Sequence, residues 1–151
     1  MNVKVKKLND RAELPKYQTE QAAAFDLQAC IDEPRVLQPL ERAMIPTGLA
    51  FEIPDGYEMQ IRARSGLSSK HGITMINGVG TIDADYRGEL NILVVNLGQD
   101  AFTIEPDVRV AQGLISKVDQ VQWEEVDTLG ETTRGARGFG STGFDKPAGR
   151  N

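Results

Sequence analysis

Apolar and polar residues alternate along much of the first 118 residues, and helical periodicity is nearly absent. Alternation with a period of two is typical of strands that bury one face. The positions Tyr57, Met59, Ile61 and Ala63 give the most regular example. Strands are predicted at residues 3–5, 49–53, 57–63, 90–94, 108–118 and 121–126.

Glycine and proline separate these segments at short intervals, for example at Pro54-Asp55-Gly56 and Asn77-Gly78. Many short strands with such spacing favour an all-β fold of the sandwich, barrel or jelly-roll type. Residues 68–71 can form one helical turn, and residues 18–24 are ambiguous. No internal repeat is visible.

From Asp127 onward the alternation stops and the chain becomes rich in glycine and polar residues. Such a segment buries too little apolar surface to offset the entropy of ordering it. We therefore expect one domain, with a β jelly-roll core at residues 1–126 and a flexible glycine-rich C-terminal arm at residues 127–151. The arm is either a dispensable tail or a segment that becomes ordered on a ligand or a neighbouring subunit.

Charge is distributed unevenly along the 151 residues, whose 17 basic and 22 acidic residues give a net charge of −5. This balance excludes the whole chain as an electrostatic partner for nucleic acid or an anionic membrane. Residues 131–151 nevertheless carry a local charge of +2. A basic, glycine-rich segment on an acidic body suits contact with a small polyanion.

The single cysteine, Cys30, cannot form an internal disulfide, which is consistent with a reducing compartment. No apolar run approaches membrane-spanning length, and the charged first residues lack the hydrophobic segment of a signal peptide. The expectation is a cytoplasmic protein. His71 is the only histidine, so zinc sites that need several His or Cys ligands are excluded.

Residues 77–90 hold the densest group of chemically useful side chains. Turn residues at Asn77-Gly78 and Gly88 predict a β-hairpin tip. In an extended chain, Asp83 and Asp85 share one face, while Tyr86 lies on the other. Paired acids of this kind can act as a general base, hold a hydrated cation, or remain as solvated charge.

Two earlier stretches place a charged residue within an apolar run or directly after one. Asp26 lies within an apolar run, where it either caps a turn or meets a charged partner. Arg64-Ser65-Gly66 follows the strand at residues 57–63 and offers a guanidinium, a hydroxyl and backbone N–H groups. That set suits phosphate oxygens, although a salt-bridged arginine beside an ordinary turn gives the same pattern.

Five stretches taken together, in order, resemble the five motifs of the homotrimeric dUTP pyrophosphatases (dUTPases). They are Ala22-Ala23-Ala24-Phe25-Asp26-Leu27-Gln28-Ala29, Arg64-Ser65-Gly66-Leu67, the stretch at residues 77–90, Arg109-Val110-Ala111-Gln112, and the glycine-rich segment at residues 134–143. The resemblance covers residues 22–143. The chain differs from the usual family pattern at Ala24, Ala63, Val108 and Arg137.

This resemblance implies a distorted jelly-roll or β-barrel-like dUTPase fold with a flexible C-terminal arm. It also implies a C3 trimer in which each active site combines motifs from different subunits. The implied reaction converts dUTP and water into dUMP and pyrophosphate, which limits uracil incorporation into DNA and supplies dUMP for thymidylate synthesis. The implied cofactor is Mg²⁺, held mainly by the three phosphates and by waters.

The resemblance also implies roles for individual residues. Asp83 would activate the attacking water, and Asp26 would assist the metal through coordinated waters. Tyr86 would pack on the deoxyribose, and Asn77 and the backbone near Asn91 would pair with uracil. The expected substrate-binding residues are Arg64, Ser65, Gly66, Asn77, Gly80, Ile82, Tyr86, Asn91, Gln112, Arg134, Phe139, Gly140, Ser141 and Thr142.

Two alternatives share much of this pattern. A dCTP deaminase has the same fold and trimeric form, but it needs a cytosine-reading pocket and an acid placed for amine chemistry. A dUTP-gated binding or regulatory module would keep the nucleotide contacts without turnover. The residues at 77–90 and the Gly-Phe-Gly-Ser-Thr-Gly segment favour the dUTPase.

Overall fold

The computed structural model describes residues 1–138, and the chain divides into two compact units, Met1–Asp119 and Gln120–Asn151. The described residues of the first unit form ten strands and one short helix. These elements are β1 (Lys4–Lys7), β2 (Phe25–Gln28), β3 (Arg35–Leu37), β4 (Arg42–Glu52), β5 (Tyr57–Ala63), α1 (Ser65–His71), β6 (Ile73–Met75), β7 (Gly80–Ile82), β8 (Glu89–Asn96), β9 (Phe102–Ile104) and β10 (Arg109–Lys117).

The first unit contains two four-stranded sheets and a small two-stranded sheet. One large sheet has the order β1-β4-β8-β6, the other has the order β2-β10-β5-β7, and β3 pairs with β9. The neighbouring strands in these three sheets are all antiparallel. The second large sheet matters most here, because it carries several of the predicted site residues.

A single apolar cluster joins the two large sheets. Ile45 and Ile92 contribute from the first sheet, and Met59, Ile61 and Ala111 contribute from the second. All five are almost completely buried. The alternation in the sequence therefore corresponds to side chains that point into one shared core.

Most of the predicted strands are present. The strand predicted at residues 57–63 has the same bounds as β5, and the predictions at 3–5, 49–53, 90–94 and 108–118 overlap β1, β4, β8 and β10. The predicted helical turn forms the second half of α1. Residues 18–24 adopt neither helix nor strand.

The strand prediction at residues 121–126 is wrong. These residues form no ladder with any part of the chain that the structure describes, and Trp123 is 93% exposed. A strand needs a pairing partner and a surface for its apolar face, and alternation alone supplies neither.

The hairpin prediction for residues 77–90 is also wrong. The turn at Asn77-Gly78 joins β6 to β7, but β6 pairs with β8 and β7 pairs with β5. The stretch therefore crosses from one sheet to the other and back. Asp83 and Asp85 are both exposed, and the Tyr86 N–H donates to the Asp83 carbonyl at 3.2 Å, so this segment turns rather than extends.

The described part of the second unit, residues 120–138, is exposed throughout. Its clearest local structure is a turn in which the Gly135 N–H donates to the Thr132 carbonyl at 3.1 Å and to the Thr132 hydroxyl at 3.0 Å. Gly135 has φ of 51°, a left-handed conformation that glycine adopts at no steric cost. Among the described helices, none is long and apolar enough to cross a membrane.

Candidate active site

Three charged side chains that are distant in sequence meet at one end of the β2-β10-β5-β7 sheet. Asp26 on β2 accepts from Arg64 Nε at 3.1 Å through one carboxylate oxygen and from an Arg109 guanidinium nitrogen at 3.0 Å through the other. The Asp26 side chain is only 12% exposed. We call this group, together with Gln112, the phosphate end, after the role that the sequence predicts for Arg64 and Gln112.

Backbone register brings these residues together. On β10, Gln112 lies opposite Asp26 on one side and Arg62 on the other. Arg64 follows directly after β5 and donates to the Arg109 carbonyl at 2.7 Å, while the Gln112 amide donates to the Ala63 carbonyl at 2.8 Å. The phosphate end is therefore fixed by bonds that span three strands.

A β-bulge sets the positions of the two polar residues on β10. The register shifts between Arg109 and Ala111, so Arg109 lies opposite Gln28 and Gln112 lies opposite Asp26. Residues three apart on a regular strand point to opposite faces, and the extra residue of the bulge restores them to one face. The sequence motif named Gln112 as a site residue, but it did not identify Arg109 as the partner of Asp26.

Ser65 and Gly66 lie beside the phosphate end, at the beginning of α1, and both are exposed. The helix begins without a side-chain cap on its first turn. A Cβ added at Gly66 would meet no atom within 4 Å. The space in front of this backbone is therefore open.

Within the described residues, no group of three or more His, Cys, Asp or Glu side chains could hold a metal ion. Asp26 is the carboxylate of the phosphate end, and both of its oxygens already accept from arginines. This donor set fits a metal held by substrate phosphates and its own waters, which is the usual manner of Mg²⁺. It does not fit direct coordination by a protein cage.

The described site residues between Asn77 and Asn91 form a second group around β7 and the turn after it, which we call the sugar end after the role that the sequence predicts for Tyr86. The Tyr86 hydroxyl donates to the Glu89 carbonyl at 2.9 Å, and the Asn91 amide donates to the same carbonyl at 3.1 Å. The Tyr86 side chain remains 45% exposed. Asp83 is exposed at the beginning of the turn.

Other residues complete the sugar end. Ile82 on β7 is half-buried against the core. Gly80 is buried, and a Cβ there would lie 3.2 Å from the Asn77 amide nitrogen and 3.3 Å from Ile61. Asn77 itself is exposed. Glycine at position 80 therefore leaves room for the Asn77 side chain above the strand.

The two ends are far apart within one chain. Ile82, the residue before Asp83, lies opposite Met59 near the beginning of β5. Arg64 follows the other end of the same strand, five residues after Met59. At about 3.3 Å per residue, Ile82 and Arg64 are separated by about 16 Å.

The C-terminal site residues belong to the second unit. Arg134 is exposed; its Nε donates to the Arg137 carbonyl at 2.9 Å, and Arg137 Nε donates to the Arg134 carbonyl at 3.1 Å. The remaining predictions in this segment, Phe139, Gly140, Ser141 and Thr142, lie outside the described residues.

The motifs assign no function to two further residues near Tyr86, which are Arg87 and Gly88. Arg87 donates to the carbonyls of Ala84, at 2.6 Å, and of Tyr86, at 3.1 Å, and so fixes the turn that carries Asp83. Gly88 lies directly against the Tyr86 ring. The only sequence signal for either residue is its position between Tyr86 and Glu89.

Fold and site together define a small, mostly β protein with a group of paired charges at one end of a sheet and an exposed turn carrying Asp83 and Tyr86 near the other. The dUTPase family model matches residues 10–143, so the chain belongs to the dUTPase family. A deoxyuridine 5'-triphosphate nucleotidohydrolase from Bdellovibrio bacteriovorus is 56% identical over 142 residues, 93% of this chain and 95% of that protein. The family resemblance of the sequence is thus confirmed.

Solved structures agree with this assignment. A mutant Staphylococcus bacteriophage 80alpha dUTPase with dUpNHpp matches at a TM-score of 0.85 and 28% identity, over 94% of this chain and 98% of that one. A mutant dUTPase of the S. aureus phage phi11, described with a structural Mg(II) ion, matches at a TM-score of 0.77 and 25% identity. That match covers 87% of this chain and 100% of the phage chain. The predicted all-β dUTPase fold is confirmed.

Proposed function

We propose that this protein hydrolyses dUTP to dUMP and pyrophosphate. The observation that supports this most is the phosphate end, where one carboxylate orients two arginines beside an open backbone, in a chain of the dUTPase family. Such a reaction would limit uracil incorporation into DNA and supply dUMP for thymidylate synthesis. A cytoplasmic location is consistent with the single, half-buried Cys30.

The phosphate end would bind the triphosphate. Guanidinium groups offer several N–H donors in a fixed plane and match phosphate oxygens well. Asp26 holds Arg64 and Arg109 in place before substrate arrives, so little ordering is left to be done on binding. Ser65 and the Gly66 backbone lie beside them as further donors.

The sugar end would read the nucleoside. The Tyr86 ring would pack on the deoxyribose and leave no room for a 2′-hydroxyl. Asn77 and the backbone around Gly80 and Asn91 would pair with the uracil edge. A cytosine in that place would leave buried polar groups without partners, which is a strong basis for rejection.

Asp83 would act as the general base. Its carboxylate would take a proton from a water molecule as the water oxygen bonds to the α-phosphorus. The bond from the α-phosphorus to the bridging oxygen breaks, and pyrophosphate leaves with that oxygen. When Mg²⁺ is bound to the phosphates, it offsets negative charge on the leaving group. Asp26 would contact that ion through waters.

A homotrimer with shared sites would bring the two ends together. Because about 16 Å of strand separates Ile82, next to Asp83, from Arg64 within one subunit, we do not expect one chain alone to place both Asp83 and Arg64 on the same triphosphate. A C3 assembly puts the sugar end of one subunit against the phosphate end of the next. The separation supports this arrangement.

The C-terminal arm would close over the bound nucleotide, with Arg134, Ser141 and Thr142 on the phosphates and Phe139 stacked on a flat group. Closure excludes water and fixes the reacting geometry. Deleting residues 134–151 should lower turnover by at least about 100-fold. The thermal unfolding midpoint should stay unchanged, and normal hydrolysis by the truncated protein would contradict the role of the arm.

Pyrophosphate release from dUTP, dTTP, UTP and dCTP, each with and without Mg²⁺, tests the proposed function. The expected result is release that depends on the metal and is far faster from dUTP than from the other three nucleotides. Ammonia release from dCTP would indicate a deaminase instead. Tight binding of dUTP without release would indicate a nucleotide-gated module.

A further inference from the structure

We propose that Gly88 is a positioning residue that sets the preference for deoxyribonucleotides, because it provides the surface on which the Tyr86 ring rests. This inference rests on the proposed function, in which Tyr86 contacts the sugar. It adds a residue that makes no contact with the nucleotide in that scheme.

The ring lies too close to Gly88 for any side chain at that position. A Cβ built on Gly88 would lie 2.5 Å from Tyr86 Cζ and 2.9 Å from Cε2, and closer still to the hydroxyl oxygen. Carbon atoms in contact are normally about 3.5–4 Å apart. A methyl group here therefore requires the ring to move by about 1 Å or more.

The need for glycine comes from the ring and not from the backbone. Gly48, Gly56, Gly72, Gly78 and Gly135 have positive φ, and Gly88 is not among them. An alanine at position 88 is thus compatible with the main chain. The contact with Tyr86 is what a side chain would disturb.

Two further contacts make the ring position specific. The Tyr86 hydroxyl donates to the Glu89 carbonyl at 2.9 Å, which ties the end of the ring to the residue after Gly88. Arg87 holds the backbone at Ala84 and Tyr86. The ring is thus fixed at both ends, yet the residue is 45% exposed, which leaves it open to a ligand.

A ring displaced by about 1 Å should lose its fit to the sugar. Misplacement on that scale can cost about 100-fold in rate when a geometry is tightly set. The loss applies to dUTP, whose deoxyribose fits against the ring. UTP is already excluded by the ring, so it should lose little or even gain.

The test compares kcat/KM for dUTP and UTP in the wild-type protein and in Gly88→Ala. We expect the ratio of the two values to fall at least about 10-fold in the variant, mainly through dUTP. Lys4→Met, which lies outside both ends, is the control and should keep the ratio within about threefold. An equal loss for both nucleotides in Gly88→Ala would mean general damage and would overturn the inference.

A double-mutant cycle identifies the contact responsible. Tyr86→Ala removes the atoms that the new methyl group would meet, so Gly88→Ala should change the ratio no further in that background. The double variant should also fold if Gly88→Ala alone does not. A further fall of the ratio in the double variant would show that Gly88 acts by another route.

The measurement on the wild-type protein distinguishes a failure of the proposed function from a failure of the role proposed for Gly88. If the wild-type protein fails to hydrolyse dUTP, or accepts UTP equally well, then Tyr86 does not select deoxyribose as proposed. The role proposed for Gly88 is then overturned as well. A selective wild-type protein with an unchanged ratio in Gly88→Ala overturns only the role of Gly88.

Discussion

The phosphate end and the sugar end are held in place by different means. At the phosphate end, Asp26 lies on β2, Arg109 on β10 and Arg64 directly after β5, and ion pairs of 3.0 and 3.1 Å join them. At the sugar end, the contacts of Tyr86 and Arg87 stay within a few residues of the chain. One end depends on the register of the whole sheet, and the other on a local turn.

This difference bears on how each end should respond to substitution. Losing a charge at the phosphate end leaves other charges without partners in a partly buried place, so folding and binding should both suffer. Removing an exposed side-chain group at the sugar end should leave the fold intact and change only the turnover of the nucleotide. The predictions below test this division, from the largest effect to the smallest.

Asp83→Asn should reduce turnover of dUTP by about 100-fold to 10,000-fold, because the amide cannot accept the proton of the attacking water. Asp83 is exposed and belongs to no ion pair among the described residues, so folding should be unaffected. The affinity for a non-hydrolysable dUTP analogue should stay within about threefold. Unchanged turnover would overturn the assignment of the base.

Mixing two inactive variants should restore activity if sites are shared between subunits. We expect Asp83→Asn and Arg64→Gln, unfolded and refolded together in equal amounts, to regain about one quarter of wild-type activity. Each site then has a chance of about one half of receiving an intact Asp83 and one half of receiving an intact Arg64. Each variant refolded alone is the control, and no recovery in the mixture would place both residues in one subunit.

The sequence predicts the strands well where the alternation is long. β5 has the bounds that its pattern indicates, because four alternating apolar residues can face the core only as a strand. The pattern is silent on which strand pairs with which. Residues 77–90 show this, since asparagine and glycine turns look the same whether they close a hairpin or cross between sheets.

The same limit applies to the candidate site. Motifs identify Arg64 and Gln112 as residues that can meet a phosphate, and Asp26 as one that can assist a metal through waters. The ion pair between Asp26 and Arg109 depends on a bulge that no pattern in β10 reveals. The tight contact between Gly88 and Tyr86 likewise follows from how the ring packs, which no sequence pattern indicates. Chemistry is visible in the sequence, whereas register and close contact need coordinates.

Asp26→Asn should destabilise the folded protein by about 1–3 kcal/mol, because two arginines lose their shared carboxylate. The side chain of Asp26 is 12% exposed and that of Arg64 is 28% exposed, so solvent screens the pair only in part. Urea unfolding at a fixed protein concentration measures the change. A loss of activity without any loss of stability would mean that the phosphate end does not depend on this carboxylate for its structure.

Lys4→Met gives the baseline for that result, because it removes an ion pair outside both ends. Lys4 Nζ lies 2.6 Å from Glu52, and both side chains are well exposed. The hydrogen bond from Lys4 lowers the pKa of Glu52. The pair therefore stabilises the fold at pH values above the ordinary pKa of a glutamate, and this stabilisation is lost as the pH falls through the lowered pKa. An NMR titration of Glu52 should move back toward the ordinary value in the variant, while the unfolding midpoint at neutral pH hardly changes. A loss of stability equal to that of Asp26→Asn would show that burial does not distinguish the phosphate end from an ordinary surface pair.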